Sequence, residues 1–311
     1  MPTLSVIVPN YNHCPYLKLR IDSILNQTYE DIEVIILDDH SQDNSVEIIE
    51  SYRTHPKVSH ILLNDRNSGS TFIQWEKGIN LATGKWIWIA ESDDWSEKTF
   101  LETLIPAFED SKEVSIAFCQ SLVVTGDGKT VKISKNDALE EIISGTEFVA
   151  KRLLKKNLII NASMCVFKKE HYYAVSKKHL KYKFMGDWLF WIEMAARGNV
   201  FISGKVLNYF RKHSADITSS VFKSGIFFLE YFQFTDDLRE LRFLTSDQKM
   251  KMIEKSFPKY YFSNISEKKV RSDLAKTYHK NLGLKYYVIM ADTYFKKIKN
   301  KLCTSLCNPI N

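Results

Sequence analysis

The stretch KWIWIAESDDW, Lys85 to Trp95, runs a strand-like apolar segment into three carboxylates, Glu91, Asp93 and Asp94. Like charges at the end of a buried strand raise one another's pKa unless a cation lies between them. A hard divalent cation with oxygen ligands, Mg2+ or Mn2+, meets that demand, and such ions commonly share their shell with substrate phosphates. Strand alternation places Glu91 and Asp93 on one side and Asp94 on the other. The competing use of the same residues is a helix cap, with Asp93 or Asp94 closing a helix that begins near Ser96 and Glu91 solvated.

Three further clusters could act with this one. Arg66 and the small residues of NDRNSGS suit phosphate contact, and Gly69 lets backbone approach closely. Asp38 and Asp39 end the apolar run EVIILD just before HSQDNS; either caps the next helix or accepts a hydrogen bond from a base. Tyr11, after SVIVP, offers a stacking face or is a half-buried surface aromatic.

The elements that must position these clusters alternate. LSVIVP (4 to 9), EVIILD (33 to 38), VSHILL (58 to 63) and KWIWIA (85 to 90) read as strands. Between them lie helical patterns at about 15 to 26, 44 to 52 and 71 to 82. Repeated βαβ predicts a parallel sheet flanked by helices, with ligands at the carboxyl ends of the strands. All four polar clusters fall on that edge. Farther on, VSIAFCQ (114 to 120), SMCVFKK (163 to 169) and VFISGKVLNYFRKH (200 to 213) read as strands. TGDGKTVKI (125 to 133) reads as a hairpin bent at Asp127 and Gly128, and FMGDWLFWIEMAARG (184 to 198) as a helix. Beyond residue 220 the patterns are helical only.

The chain has 311 residues, 44% hydrophobic and 26% charged, which is ordinary globular composition. No segment approaches the roughly 20 apolar residues of a membrane-spanning helix. MPTLSVIVPN lacks the basic region and long apolar run of a signal peptide. Five cysteines with no CxxC pair fit free thiols in a reducing compartment, which places the protein in the cytoplasm. Residues 220 to 311 hold 17 Lys and Arg against 9 Asp and Glu, while residues 1 to 219 hold 26 against 28. This asymmetry divides the chain near residue 220.

SVIVPNYN (5 to 12), QTYEDIEVIILDDHSQDNS (27 to 45), NSGS (67 to 70), ATGKWIWIAESDDW (82 to 95), GDWLFWIEMA (186 to 195) and YFRKHSADITSS (209 to 220) resemble, in order and spacing, the successive motifs of family 2 glycosyltransferases. These are inverting enzymes of the GT-A fold, of the kind that builds bacterial polysaccharides and cell-surface glycans. The resemblance covers roughly residues 3 to 220 and leaves 221 to 311 as a basic helical region. It implies a nucleotide pocket lined by Pro9, Tyr11, Asn12, Ser70 and Ser92. In that pocket Asp39 would receive the imide N–H of the base, with Arg66 near the base or phosphates. ESD would be the metal-binding DxD motif, with Asp93 the main link through Mn2+ or Mg2+ to the pyrophosphate. His213 of RKH would lie near the diphosphate and metal. Asp187 matches the catalytic base, and its competing use is the N-cap of the helix that follows. Asp94, Trp95, Gly186, Trp188 and Arg211 would shape the donor and acceptor pocket. Two positions depart from the pattern: Glu91 stands where the motif has Asp, and Gly186 where the family often has Glu.

The activity so implied is transfer of a hexosyl or N-acetylhexosaminyl group from a nucleotide-diphosphate sugar, UDP favoured, to a hydroxyl of a saccharide or lipid-linked saccharide. Its rivals are a nucleotide-sugar-binding protein that has lost catalysis and a nucleotidyltransferase. The latter needs a glycine-rich basic loop after the first strand, which PNYNHCPYL does not supply. An oxidoreductase would need GxGxxG, and no nucleic-acid recognition motif accompanies the basic tail. In that tail Leu284, Val288, Ala291, Phe295, Ile298, Leu302 and Leu306 form an amphipathic stripe beside Lys285, Lys296, Lys297, Lys299 and Lys301. Such a helix either packs on its own domain or makes peripheral contact with the inner face of the cytoplasmic membrane. GIFFLEYFQF (225 to 234) is apolar enough to be core or a subunit interface.

Overall fold

The computed structural model describes residues 2–306 apart from 135, 137 and 213–216; side chains at 217–219, 297 and 299–306 also fall outside the description. The chain forms two compact units, Met1–Ala215 and Asp216–Asn311.

The first unit begins β1 (Leu4–Asn10), α1 (Cys14–Leu25), β2 (Ile32–Asp38), α2 (Ser45–Ser51), β3 (Val58–Leu63), α3 (Thr71–Leu81) and β4 (Trp86–Ile89). It continues through β5 (Trp95–Ser96), α4 (Phe100–Leu104), α5 (Pro106–Asp110), β6 (Val114–Thr125), β7 (Thr130–Ile133) and β8 (Glu140–Ser144). It closes with α6 (Gly145–Phe148), β9 (Cys165–Lys168), α7 (Lys169–Tyr172), α8 (Gly186–Ala195) and β10 (Asn199–Lys212). One sheet runs β3-β2-β1-β4-β9-β6-β10-β5, with β7 on β6 and β8 on β10. Its first four strands are parallel, with Asn10 opposite Asp38, Asp38 opposite Leu63 and Ile7 opposite Ile89. The loops after β1, β2, β3 and β4 therefore share one edge.

In the rest of the sheet β6 and β10, the two longest strands, pair parallel with each other, and the shorter strands run the other way. β9 lies antiparallel between β4 and β6, and β5, β7 and β8 are also antiparallel to their partners. The antiparallel sense of β9 matters for the site: Val166 opposes Trp88, so the residues just before β9 reach the same edge as the acidic loop after β4.

Burial follows from this layering. β1 and β2 are buried along their whole length, as strands covered on both faces must be. α3 lies close on β1 because Gly78 has no Cβ; one there would fall 2.3 Å from Ile7 Cγ2. α8 is buried at every position from Leu189 to Ala195 and is a core helix rather than a surface one. The acid in this buried stretch, Glu193, accepts from Ser176 N and Ser176 Oγ, both at 2.7 Å.

The second unit holds α9 (Ile217–Ser224), α10 (Ile226–Glu240), α11 (Ser246–Tyr261), α12 (Lys268–Leu282) and α13 (Lys285–Leu306). Its core joins Phe228, Phe232, Ile253, Phe257, Tyr260, Leu274, Tyr278 and Leu282. The aromatic run of α10 is thus core, with Phe228, Phe232 and Phe234 buried. Truncating a ring such as Phe257 to alanine would cost about 3–5 kcal/mol. Thr245 and Gln248 form a reciprocal capping box at the start of α11.

Candidate active site

The acidic loop leaves the sheet at Ala90, whose N–H still donates to the Ile7 carbonyl at 2.8 Å. It then turns, with Asp94 N donating to Glu91 O at 3.2 Å. The turn breaks the strand alternation that would have set Glu91 and Asp93 on one side. β5 follows at Trp95, and the next helix starts only at Phe100, so neither Asp93 nor Asp94 is a cap.

Each carboxylate has a distinct setting. Glu91 is enclosed, its N–H donating to Ser163 Oγ at 3.0 Å and its Oε1 accepting from Trp75 Nε1 at 2.8 Å. The methylene by which it exceeds aspartate carries the carboxylate to that indole. Asp94 is 1% exposed and accepts from Asn161 Nδ2 at 2.6 Å and from Arg211 N at 3.0 Å. Asp93 is half-buried, and its carbonyl accepts from Arg211 Nε at 2.9 Å. Ser92 Oγ lies 2.8 Å from His13 Nδ1. Burial, and then the Asp93 charge, push Glu91 up to about 8 and Asp94 up to about 7.

Beneath the loop lies Arg20, fully buried on the inner face of α1 between Leu17 and Ile21. Its guanidinium sits 4.7 Å from the Trp88 ring centroid, and no hydrogen-bond partner meets Nε, Nη1 or Nη2. Burial lowers its pKa to about 10, and Asp94, Asp93 and Glu91, in that order, oppose the shift. Arg20 thus faces three acids, and Glu91 and Asp94 are held toward their protonated forms until further positive charge joins the cluster. A second arginine fixes the loop from outside: Arg211 lies 4.5 Å from the Tyr16 ring and 4.6 Å from the Trp95 ring, with Trp95 stacked on Tyr209.

Among the described residues no three His, Cys, Asp or Glu side chains form a metal cage. Mg2+ and Mn2+ need none when one or two carboxylates and substrate phosphates complete the shell. Clustered hard oxygen donors, Asp93 among them, whose ionisation an added cation would favour, fit an ion of that kind. Glu91 and Asp94 already hold protein donors. His213 lies outside the described residues.

The nucleotide-side residues gather on the neighbouring loops. Pro9 is buried in β1, Tyr11 is 45% exposed, and Asn12 adopts φ 57° with its Oδ1 accepting from Gln42 N at 2.7 Å. Asp38 binds the turn after β2, accepting from Asn10 Nδ2 at 2.8 Å, Ser41 N at 2.8 Å and Ser41 Oγ at 2.6 Å. Asp39 accepts from Asn64 Nδ2 (2.6 Å), Ser68 N (2.9 Å), Ser68 Oγ (2.7 Å) and Gln74 Nε2 (2.8 Å). The cap position of α2 falls to Asn44. Arg66 is exposed, Gly69 takes φ 74°, and the Ser70 hydroxyl at the head of α3 is enclosed without a hydrogen-bond partner.

Asp187 stands in the first turn of α8, one residue inside Gly186, and the N-cap position belongs to Met185. Its Oδ1 accepts from Trp188 N at 2.7 Å and its Oδ2 from Asn157 Nδ2 at 3.1 Å. The helix N-terminus favours the anion there. Trp188 Nε1 donates to Leu153 O at 2.8 Å. A Cβ at Gly186 would lie 2.6 Å from the His179 carbonyl and 2.6 Å from Phe72 Cε2, so glutamate has no room. Phe72 meets Trp75 edge-on at 5.1 Å, and α3 therefore braces both Gly186 and Glu91.

Sequence reasoning passed over Arg20, His13, Asn157, Asn161 and Ser163. The signal for Arg20 was present: an arginine on the apolar stripe of an amphipathic helix must meet buried charge. Asn157, Asn161 and Ser163 gave none, because only the reversed direction of β9 brings them to the edge.

Residues 5–175 match the family described as glycosyl transferase family 2. An uncharacterized glycosyltransferase of Methanocaldococcus jannaschii is 30% identical over 206 residues, 64% of this chain and 67% of that protein. Glycosyltransferase GlyG of Streptococcus pneumoniae serotype 4 is 39% identical over 101 residues, 32% of this chain. The chain spans about a third of GlyG, 33% of its length. Hyaluronan synthase of Pasteurella multocida is 30% identical over 132 residues, 42% of this chain and 13% of that protein. The crystal structure of Staphylococcus aureus TarS residues 1–349 with UDP-GlcNAc superposes with a TM-score of 0.65 at 18% identity, covering 92% of this chain and 83% of that one.

Proposed function

The chain belongs to glycosyltransferase family 2 and has the GT-A fold, and from that premise we propose that it transfers a hexosyl or N-acetylhexosaminyl group from a UDP-sugar to a hydroxyl of a saccharide or lipid-linked saccharide, with inversion. The observation that carries this reading is the pairing, through α3, of a loop of three clustered carboxyls with a carboxylate in the first turn of α8.

In the proposed reaction Asp187 accepts the proton of the acceptor hydroxyl as that oxygen attacks the anomeric carbon. The bond from the anomeric carbon to the diphosphate breaks on the opposite face, and the leaving nucleoside diphosphate keeps the electron pair. Asn157 holds one oxygen of Asp187 and Trp188 N the other, which orients the base. Mg2+ or Mn2+, joined through Asp93 to the diphosphate, would offset the charge growing on the leaving group. Arg211 fixes the Asp93 carbonyl and Asp94, so the loop does not have to reorganise during the reaction. Tyr11, Asn12, Pro9, Ser70, Ser92 and Arg66 would receive the nucleotide, and His213 its diphosphate. Asp39, with four protein donors already on it, keeps only limited capacity for the base imide. UDP is favoured by the family resemblance and by the fold shared with UDP-GlcNAc-bound TarS.

The test is binding and turnover of a panel of nucleotide sugars with Mg2+ or Mn2+. Wild type should bind one donor in the presence of metal; Asp93→Ala should lose that binding, and Asp187→Asn should bind but neither transfer nor hydrolyse. Donor binding without turnover in wild type would favour a binding protein of the same fold, and absence of binding to every donor would end the transferase reading.

A further inference from the structure

α13 carries two apolar faces, and only one of them is used. Tyr286, Ile289 and Met290 pack against the core of the second unit, and Thr293 is 3% exposed. Leu284, just before the helix, and Tyr287, Val288, Tyr294, Phe295 and Ile298 are exposed by 38% to 86%. Spacing explains the split: residues three and four apart share one side, and 286, 289, 290 and 293 form a set distinct from 284, 287, 288, 291, 294, 295 and 298. The stripe that the sequence left open to its own domain or to a membrane surface is the one that faces away from its unit's core.

Several bulky side chains in a row on an exposed helix mark a contact surface. The charges beside them narrow the occupant. The sequence of α13 holds five lysines, Lys285, Lys296, Lys297, Lys299 and Lys301, against one acid, Asp292; Lys285 pairs with Glu254 at 2.9 Å and Lys296 with Asp292 at 2.7 Å, and the excess over these pairs lies in the last three. A second copy of the helix would set this excess against itself, without the complementary flanking charges that helix pairs use. The aromatic members, Tyr287, Tyr294 and Phe295, have the apolar bodies that settle at an apolar–water boundary. We infer that α13 lies along a lipid bilayer bearing anionic headgroups, with Val288 and Phe295 entering the acyl boundary and the lysines meeting the headgroups. This goes beyond sugar transfer and does not depend on it.

The test is co-sedimentation of the full chain with vesicles of phosphatidylcholine alone and of phosphatidylcholine with phosphatidylglycerol. Wild type should bind the anionic vesicles at least about tenfold more strongly, and added salt should release it. The double variant Val288→Asp and Phe295→Asp should lose about tenfold or more of that binding while keeping its circular dichroism and melting temperature, because both side chains are exposed. Absence of wild-type binding, equal binding of the variant, or equal binding to both vesicle types would overturn the inference. So would a dimer in sedimentation velocity that the variant breaks, because the face would then belong to a second copy.

Discussion

Two acid clusters end the strands on either side of β1, on one sheet edge, and they resolve the same electrostatic problem in opposite ways. Asp38 and Asp39, after β2, are surrounded by donors: seven hydrogen bonds reach their side-chain oxygens from Asn10, Ser41, Asn64, Ser68 and Gln74. Glu91, Asp93 and Asp94, after β4, are packed against one another and share a buried arginine. The first arrangement builds loops, because every acceptor is matched. The second leaves carboxyls that ionise with difficulty and gain from an added cation, because burial and mutual repulsion hold Glu91 and Asp94 far above the usual carboxylate range. A sequence reader sees DD and ESDD as similar signals; the donors around them separate scaffold from chemistry.

The comparison breaks first at activity. Asp187→Asn and Asp93→Ala should each lower turnover by about 10³-fold, close to 4 kcal/mol, with little change in melting temperature. Asp38→Ala should act the other way, weakening the fold and reducing activity only as far as the loop is lost. Equal activity losses at Asp38 and Asp93 under conditions where both variants stay folded would erase the distinction.

Arg20→Met probes the charged cluster from below. Removing the fully buried cation leaves the acids less compensated, and we expect a loss of about 3 kcal/mol in urea unfolding at pH 8. The loss should shrink toward pH 5, where the cluster can take up protons. A variant as stable as wild type at pH 8 would mean that stacking on Trp88, and not charge, is what the side chain contributes.

Asp39→Ala tests the donor-rich cluster and should cost about 2 kcal/mol, since Asn64, Ser68 and Gln74 would be left with unmatched polar groups. Amide exchange should quicken in the loop 64–70. An unchanged urea midpoint would show that water replaces the carboxylate without penalty.

Much of this was legible before any coordinates, and the reasons are specific. The four parallel strands and their helices stand within a residue or two of where periodicity puts them, because apolar runs bounded by polar loops leave little choice. The edge shared by Tyr11, Asp39, Arg66 and Asp93 followed from βαβ handedness and connection alone. The antiparallel strands were harder. Two-residue β5 and exposed β8 carry no periodic signal, and the direction of β9 depends on partners distant in sequence. That direction decides whether Asn161 and Ser163 reach Asp94 and Glu91, so part of the site was invisible for the same reason as part of the fold. For α13 the sequence left two uses open, its own domain or a membrane surface, because an apolar stripe shows that one side is apolar and a helix with a second apolar side leaves the choice to the packing partner.

The smallest expected effect separates the clusters by pH alone. Glu91 is raised in the folded protein to about 8 from an ordinary 4.5, so folding favours its protonated form. That contribution is complete below the unfolded value and is lost as pH rises through about 8, at most about 1 kcal/mol for each pH unit. His179 works in the opposite sense. Enclosed among Phe72, Tyr172 and Phe190 with neither ring nitrogen partnered, it is lowered from 6.5 to about 3, chiefly by burial. Stability tied to the neutral ring is present above 6.5 and is lost as pH falls toward 3. The metal-free protein should therefore show a stability maximum on the acid side of neutrality, read as the urea midpoint across a pH series. Glu91→Gln should reduce the alkaline limb to the part owed to Asp94, the double variant Glu91→Gln and Asp94→Asn should flatten it, and both should leave the acid limb in place. If the alkaline limb persists in the double variant, its origin is not the acidic loop, and the electrostatic contrast between the two strand ends loses its support.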